Sequence, residues 1–195
     1  MFEGSIEPND INQGSLGNCW FMCAVAALAE FPELIIQLFQ MDSRAINDAG
    51  RYNVCICESG AWKNYTVDDL FPCSPQGGNP LFATGHGNEL WVQILEKVYA
   101  KVCGSYKATD SGFPFEGLLD LTGAPYTSIR LEGEEAETKI RNGTLWKTLK
   151  RNDDLGYLQT ASTWGTDTLT IGGDRHAGEG SGLVPGHAYA LIQVT

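Results

Sequence analysis

Cys19 opens the run Cys19-Trp-Phe-Met-Cys-Ala-Val-Ala-Ala-Leu-Ala and follows directly on Gly17 and Asn18. The run is made of strong helix formers, so the pattern predicts a helix with Asn18 as N-cap and Cys19 in its first turn. Position matters for the chemistry. A thiol near neutral pH is mostly protonated, and a helix N-terminus together with a nearby imidazolium turns it into a nucleophilic thiolate. Cys19 has the first of these by its place in the chain. A cysteine flanked by Trp, Phe and Ala can equally be a buried structural thiol, so a second group has to decide between the two.

The chain has three histidines. His86 and His176 lie in Gly-rich polar stretches without a paired group and are expected to be solvated. His187 opens an alternating segment that ends at Val194 and sits in Gly182-Leu-Val-Pro-Gly-His-Ala-Tyr-Ala. A lone histidine at a strand start is often a surface or hydrogen-bonded core residue. Paired with a thiolate it is a general base.

The longer string Gln13-Gly-Ser-Leu-Gly-Asn-Cys-Trp-Phe resembles the active-site signature of calpains, papain-like cysteine peptidases of clan CA. Two further blocks are similar to the same family: Glu89-Leu-Trp-Val-Gln-Ile-Leu-Glu-Lys-Val-Tyr-Ala-Lys-Val-Cys-Gly-Ser-Tyr106, and the segment around His187. The resemblance implies Cys19 as nucleophile, His187 as general base and Gln13 as side-chain donor to the oxyanion, in a cysteine endopeptidase acting on polypeptides. A donor is needed because charge develops on the carbonyl oxygen as the thiolate attacks. It also implies an α+β, papain-like fold with a helical lobe facing a β-rich lobe across a cleft. A transglutaminase-type acyltransferase also places Cys-Trp at a helix start, but the Gln13 spacing and the Gly-His-Ala-Tyr segment fit calpains better.

Two departures bear on what to expect. Asn18 stands where many calpains carry Asp, and either residue can cap a helix. Family members complete the triad with an Asn in an Asn-Pro-Trp motif after the histidine strand, and no such motif occurs here. Because that residue orients the imidazole, the 195-residue chain is expected to be a fragment with little peptidase activity and with further domains in the full-length protein. The alternative reading is a catalytically silent, calpain-like interaction module. No cofactor is required by the chemistry. Calcium is possible, since Asp10 and Glu96 match the positions of carboxylates that bind it in many animal calpains, though two carboxylates supply only part of a calcium shell.

The elements that must position these groups follow from periodicity. Pro32 opens a second helix through Gln40. Tyr52, Val54 and Ile56 alternate with Asn53, Cys55 and Cys57, and a Ser59-Gly60 turn leads to a run from Trp62 to Val67, which reads as a β-hairpin. From Glu89 to Val102 an apolar stripe of Leu90, Ile94, Leu95, Val98 and Val102 predicts an amphipathic helix, with Glu89, Gln93, Glu96 and Lys97 mostly off the stripe. The polar stretch between Tyr106 and Phe115, with Gly112 and Pro114, divides a first lobe, 1–111, from a second, 112–195. Beyond it the pattern predicts a helix from Glu116 to Leu121, a strand from Tyr126 to Leu131, and a helix carrying Ile140, Leu145 and Leu149. A strand from Gly156 to Thr160, a loop from Thr163 to Gly186, and a strand from His187 to Val194 complete the pattern. In that last strand His187, Tyr189 and Leu191 share one face.

With 43% hydrophobic residues the chain can bury a sizeable core. A formal net charge of −11 argues against nucleic-acid or anionic-membrane surfaces, which need clustered Lys and Arg. The apolar region from Trp20 to Met41 is interrupted by Glu30, Pro32 and Glu33 and falls short of a membrane span. Met1 to Pro8 does not read as a secretory signal. The six cysteines form no CxxC pair or zinc-ligand spacing and suit a reducing, cytoplasmic setting. The sequons at Asn64 and Asn142 are then expected to carry no glycan.

Overall fold

The computed structural model describes residues 1–165 and 183–195. It has the α+β architecture that the resemblance implies. Helix α1, Cys19–Ala29, is almost wholly apolar, and nine of its eleven residues are buried. Such a helix has no solvent face, so other elements must surround it. Helix α4, Pro114–Thr122, approaches on one side at Gly117, where an added Cβ would stand 2.9 Å from the Ala24 Cβ. The small residues of α1 allow that approach. Helix α3, Trp91–Cys103, brings Tyr99 to the Phe21 ring, stacked with centroids 3.9 Å apart. Helix α2, Pro32–Leu38, follows α1 with Pro32 in its first turn, and its chain turns extended at Phe39 rather than continuing to Gln40.

Strands β1, Arg51–Glu58, and β2, Ala61–Asp68, form the expected antiparallel hairpin, with Tyr52 opposite Val67 and Glu58 opposite Ala61. Ser59 and Gly60 both take positive φ, 53° and 79°, as a tight turn between twisted strands requires. Tyr52, Val54 and Ile56 on β1 are fully buried and join α1, α2 and α3 in one core cluster.

The sequence pattern misreads several elements beyond α4. The predicted strand from Tyr126 to Leu131 is irregular and exposed, because β-prone residues form a strand only where an edge is offered to them. The helix carrying Ile140, Leu145 and Leu149 is two helices, α5, Glu134–Arg141, and α6, Thr144–Asp154, broken at Gly143, whose φ of 75° no helix accommodates. The strand placed at Gly156 to Thr160 is instead β3, Thr160–Ser162, and the segment after His187 is regular only over β4, Ala188–Ala190. These two pair antiparallel, Ala161 opposite Tyr189, and β4 packs against α1. Among the described residues no single helix is long and apolar enough to cross a membrane.

Candidate active site

Cys19 is the first residue of α1 and is half-buried. The turn starts when the Asn18 carbonyl accepts the N–H groups of Phe21, at 2.9 Å, and Met22, at 3.1 Å. Contrary to the sequence reading, the Asn18 side chain caps nothing. It is fully buried, and its Nδ2 donates instead to Glu96 Oε1 at 2.7 Å. A buried carboxylate draws an amide donor more strongly than a helix N–H draws an amide oxygen.

Gln13 is held on the segment before the nucleophile. Asn12 and Thr84 exchange backbone hydrogen bonds of 3.0 and 2.9 Å, and Ser15 N donates to Leu81 O at 3.0 Å. Gly14 lies so close over this strip that a Cβ would meet the Phe82 carbonyl carbon at 2.4 Å. Gln13 Nε2 donates to Leu16 O at 2.8 Å, which closes the loop leading to Cys19. Past the nucleophile, Trp20 Nε1 donates to Thr109 O at 2.9 Å, and Gly112 sits on the face of the Trp20 indole. Ser111 N donates to Gly17 O at 3.0 Å, from a left-handed backbone with φ 76°.

His187 immediately precedes β4, the strand seated on α1, and Ala188 beside it belongs to the same core cluster as the α1 side chains. Its backbone is clamped by Thr163: His187 N donates to Thr163 Oγ1 at 3.1 Å, and Thr163 N donates to the His187 carbonyl at 2.9 Å. Its ring and that of Tyr189 lie edge to face with centroids 5.0 Å apart, and the Tyr189 hydroxyl accepts from Val184 N at 2.7 Å. The fold therefore brings the helix of Cys19 and the strand next to His187 into contact. His86 stays in the loop before α3, and His176 lies outside the described residues.

Other thiols are poorly placed for nucleophilic work. Cys23, one turn beyond Cys19, is pushed far up by burial, and the charge of Cys19 adds to the shift. Burial also raises Cys55 and Cys103. Each is thus less available as thiolate at neutral pH.

The apolar stripe leaves Glu96 mostly off the face expected to be buried, but it is 2% exposed, and Glu89 and Gln93 are also buried. Its Oε2 accepts from Ala83 N at 3.0 Å, so both carboxylate oxygens are engaged by N–H donors. Burial pushes its carboxyl up to about 6, against the lowering effect of those two bonds. No sequence signal reports this environment, since the donors come from loops 13 and 78 residues away. Asp10 is buried with Oδ2 accepting from Glu7 N at 2.7 Å. Among the described residues no three acidic, Cys or His side chains gather around a common point. Asp10 and Glu96 by themselves supply only part of the six to eight oxygens of a calcium shell.

Comparison with known proteins places the whole chain in one family. The family model described as calpain family cysteine protease matches residues 1–195. The calpain-type cysteine protease DEK1 of Zea mays is 40% identical over 195 residues, covering all of this chain and 8% of the relative. Calpain-5 of Mus musculus is 30% identical over 204 residues, covering all of this chain and 31% of the relative. The calpain-2 catalytic subunit of Rattus norvegicus is 32% identical over 190 residues, 96% of this chain and 25% of the relative. The chain thus spans less than a third of the length of these multidomain relatives. With a family match from end to end, this chain belongs to the calpain family of cysteine proteases.

Proposed function

We propose that this chain is the peptide-hydrolysing core of a calpain-type endopeptidase, with Cys19 as nucleophile, His187 as general base and Gln13 as oxyanion donor. The packing of β4 against the helix that begins at Cys19 is the observation that carries the reading. The Cys19 thiolate forms a bond to the scissile carbonyl carbon, and the carbonyl electron pair moves onto oxygen. His187 carries the proton taken from the thiol and returns it to the leaving amine as the C–N bond breaks. Water, deprotonated by His187, then attacks the thioester and restores the thiol.

Gln13 Nε2 has two hydrogens and commits one to Leu16 O, so the second is left for the oxyanion beside the Cys19 backbone N–H. Residues 1–111 and 112–195 form the two proposed lobes, with α4 of the second seated on α1 of the first. The free thiols of Cys23, Cys55, Cys57, Cys73 and Cys103 support an intracellular, cytoplasmic setting. Calcium has no step in this mechanism.

Hydrolysis of casein by the natural full-length polypeptide tests the proposal. Cys19→Ser and His187→Ala should each lower turnover by roughly 10⁴-fold or more. Turnover that survives Cys19→Ser in a folded protein contradicts it.

A further inference from the structure

We propose that Glu96 is a positioning residue, holding Cys19 and Gln13 in register by anchoring both to helix α3. The proposal rests on the reading of Cys19 as nucleophile. One carboxylate oxygen takes the Asn18 side-chain N–H, and Asn18 is covalently next to Cys19. The other takes the Ala83 N–H. Ala83 lies within the strip 81–84 that grips Asn12 and Ser15, the residues on either side of the Gln13-Gly14 pair. Through these two bonds a single buried side chain sets the place of the thiol and of the oxyanion donor.

The chemistry of the anchor is specific. Both partners are N–H donors, and an ionised carboxylate accepts on each oxygen. An amide in the same space has one accepting oxygen and an NH₂ that would face a donor. A group that only filled volume would be served equally well by Gln. Helix α3 is a rigid reference, since Trp91, Ile94, Leu95 and Val98 on it are fully buried. Glu96 touches neither substrate nor the reacting atoms, so its effect passes through Asn18 and Ala83.

Glu96→Gln in the full-length polypeptide, with kcat and KM measured on a peptide substrate and normalised to folded protein, tests the role. A reactant displaced by about 1 Å loses roughly 10²-fold in rate, so kcat is expected to fall on that order with KM nearly unchanged. Alkylation of Cys19 is expected to slow in parallel, and Glu96→Asp to restore part of both. Asn18→Ala cuts the same link from the other end, and its effect combined with Glu96→Asp should be non-additive. Wild-type kcat and wild-type Cys19 alkylation in folded Glu96→Gln or folded Asn18→Ala, with any loss confined to thermal stability, overturns the proposal. Cys19→Ser separates the two claims. If it abolishes turnover while Glu96→Gln leaves kcat intact, only the positioning role fails; if it leaves turnover intact, the nucleophile reading fails first.

Discussion

Helices α1 and α6 have the same length, eleven residues, and opposite surroundings. Nine residues of α1 are buried, and none of α6 is. Helix α1 is apolar on every side and is held by α2, α4 and β4, with Phe21 stacked on Tyr99 of α3. Helix α6 has an apolar face of Leu145, Trp146 and Leu149, yet Trp146 remains 53% exposed, and its neighbour in packing is α5. Its regularity owes more to local pairs such as Lys150 with Asp154, four residues on. The proposed nucleophile starts the packed helix. Chemistry that tolerates little displacement belongs where neighbours over-determine the backbone.

The largest expected difference between these regions is in stability. Trp91→Ala, which empties a fully buried site on α3 and strands the Glu89 oxygen that its Nε1 bonds at 3.1 Å, should cost about 3–5 kcal/mol. Urea denaturation followed by circular dichroism measures it. A loss below about 1 kcal/mol would mean that α3 is not the rigid reference described.

Next comes the contact between the nucleophile helix and the 111–113 segment. In Gly112→Ala the new methyl would lie 2.4 Å from Trp20 Cε2, too close to be accepted without movement. Overpacking of this kind costs about 1–3 kcal/mol. Unchanged thermal midpoint and unchanged turnover would show that the indole can yield.

Glu96 gives a signature in pH of similar or smaller size. Its carboxyl is raised by burial to about 6, above the unfolded value, so the folded state binds the proton more tightly. Its contribution to stability is therefore fully present below the unfolded pKa and is lost as pH rises through 6. Relative to Glu96→Gln, the parent should lose about 2 kcal/mol between roughly pH 4 and pH 7. Parallel stability–pH curves for the two proteins would show that Glu96 is not desolvated. Activity should run the other way, because only the ionised carboxylate accepts from both Asn18 and Ala83.

The smallest effect belongs to α6. Trp146→Ala should change stability by less than about 0.5 kcal/mol, since the ring is already half in water. A loss of several kcal/mol would erase the contrast between the two helices.

The contrast also explains which parts were legible in the sequence. Helix α1, the β1–β2 hairpin and α3 announce themselves because the period of their apolar residues matches the faces they bury. So do the Gln13, Cys19 and His187 motifs, which are local strings. The Asn18–Glu96–Ala83 link joins three distant segments, and nothing in the residues around Glu96 distinguishes it from Lys97, which reaches outward to Asp68 and Leu70. Tyr126 to Leu131 has strand composition but no partner edge among the described residues, and Gly143 divides a helical pattern that is otherwise continuous. Asn18 reads as a cap because an Asn directly precedes a run of helix formers, and its backbone carbonyl does start the helix. Only tertiary structure shows its side chain turned the other way.

The central claim is that Cys19 is the activated thiol, and brief iodoacetamide treatment of the native full-length polypeptide at about pH 6 tests it most directly. An ordinary thiol is less than about 1% ionised there, whereas a thiolate stabilised by a helix N-terminus and an imidazolium is largely formed. Peptide mass spectrometry should find Cys19 modified first, ahead of the more exposed Cys73 and Cys103. Modification of Cys73 or Cys103 before Cys19 would contradict the account.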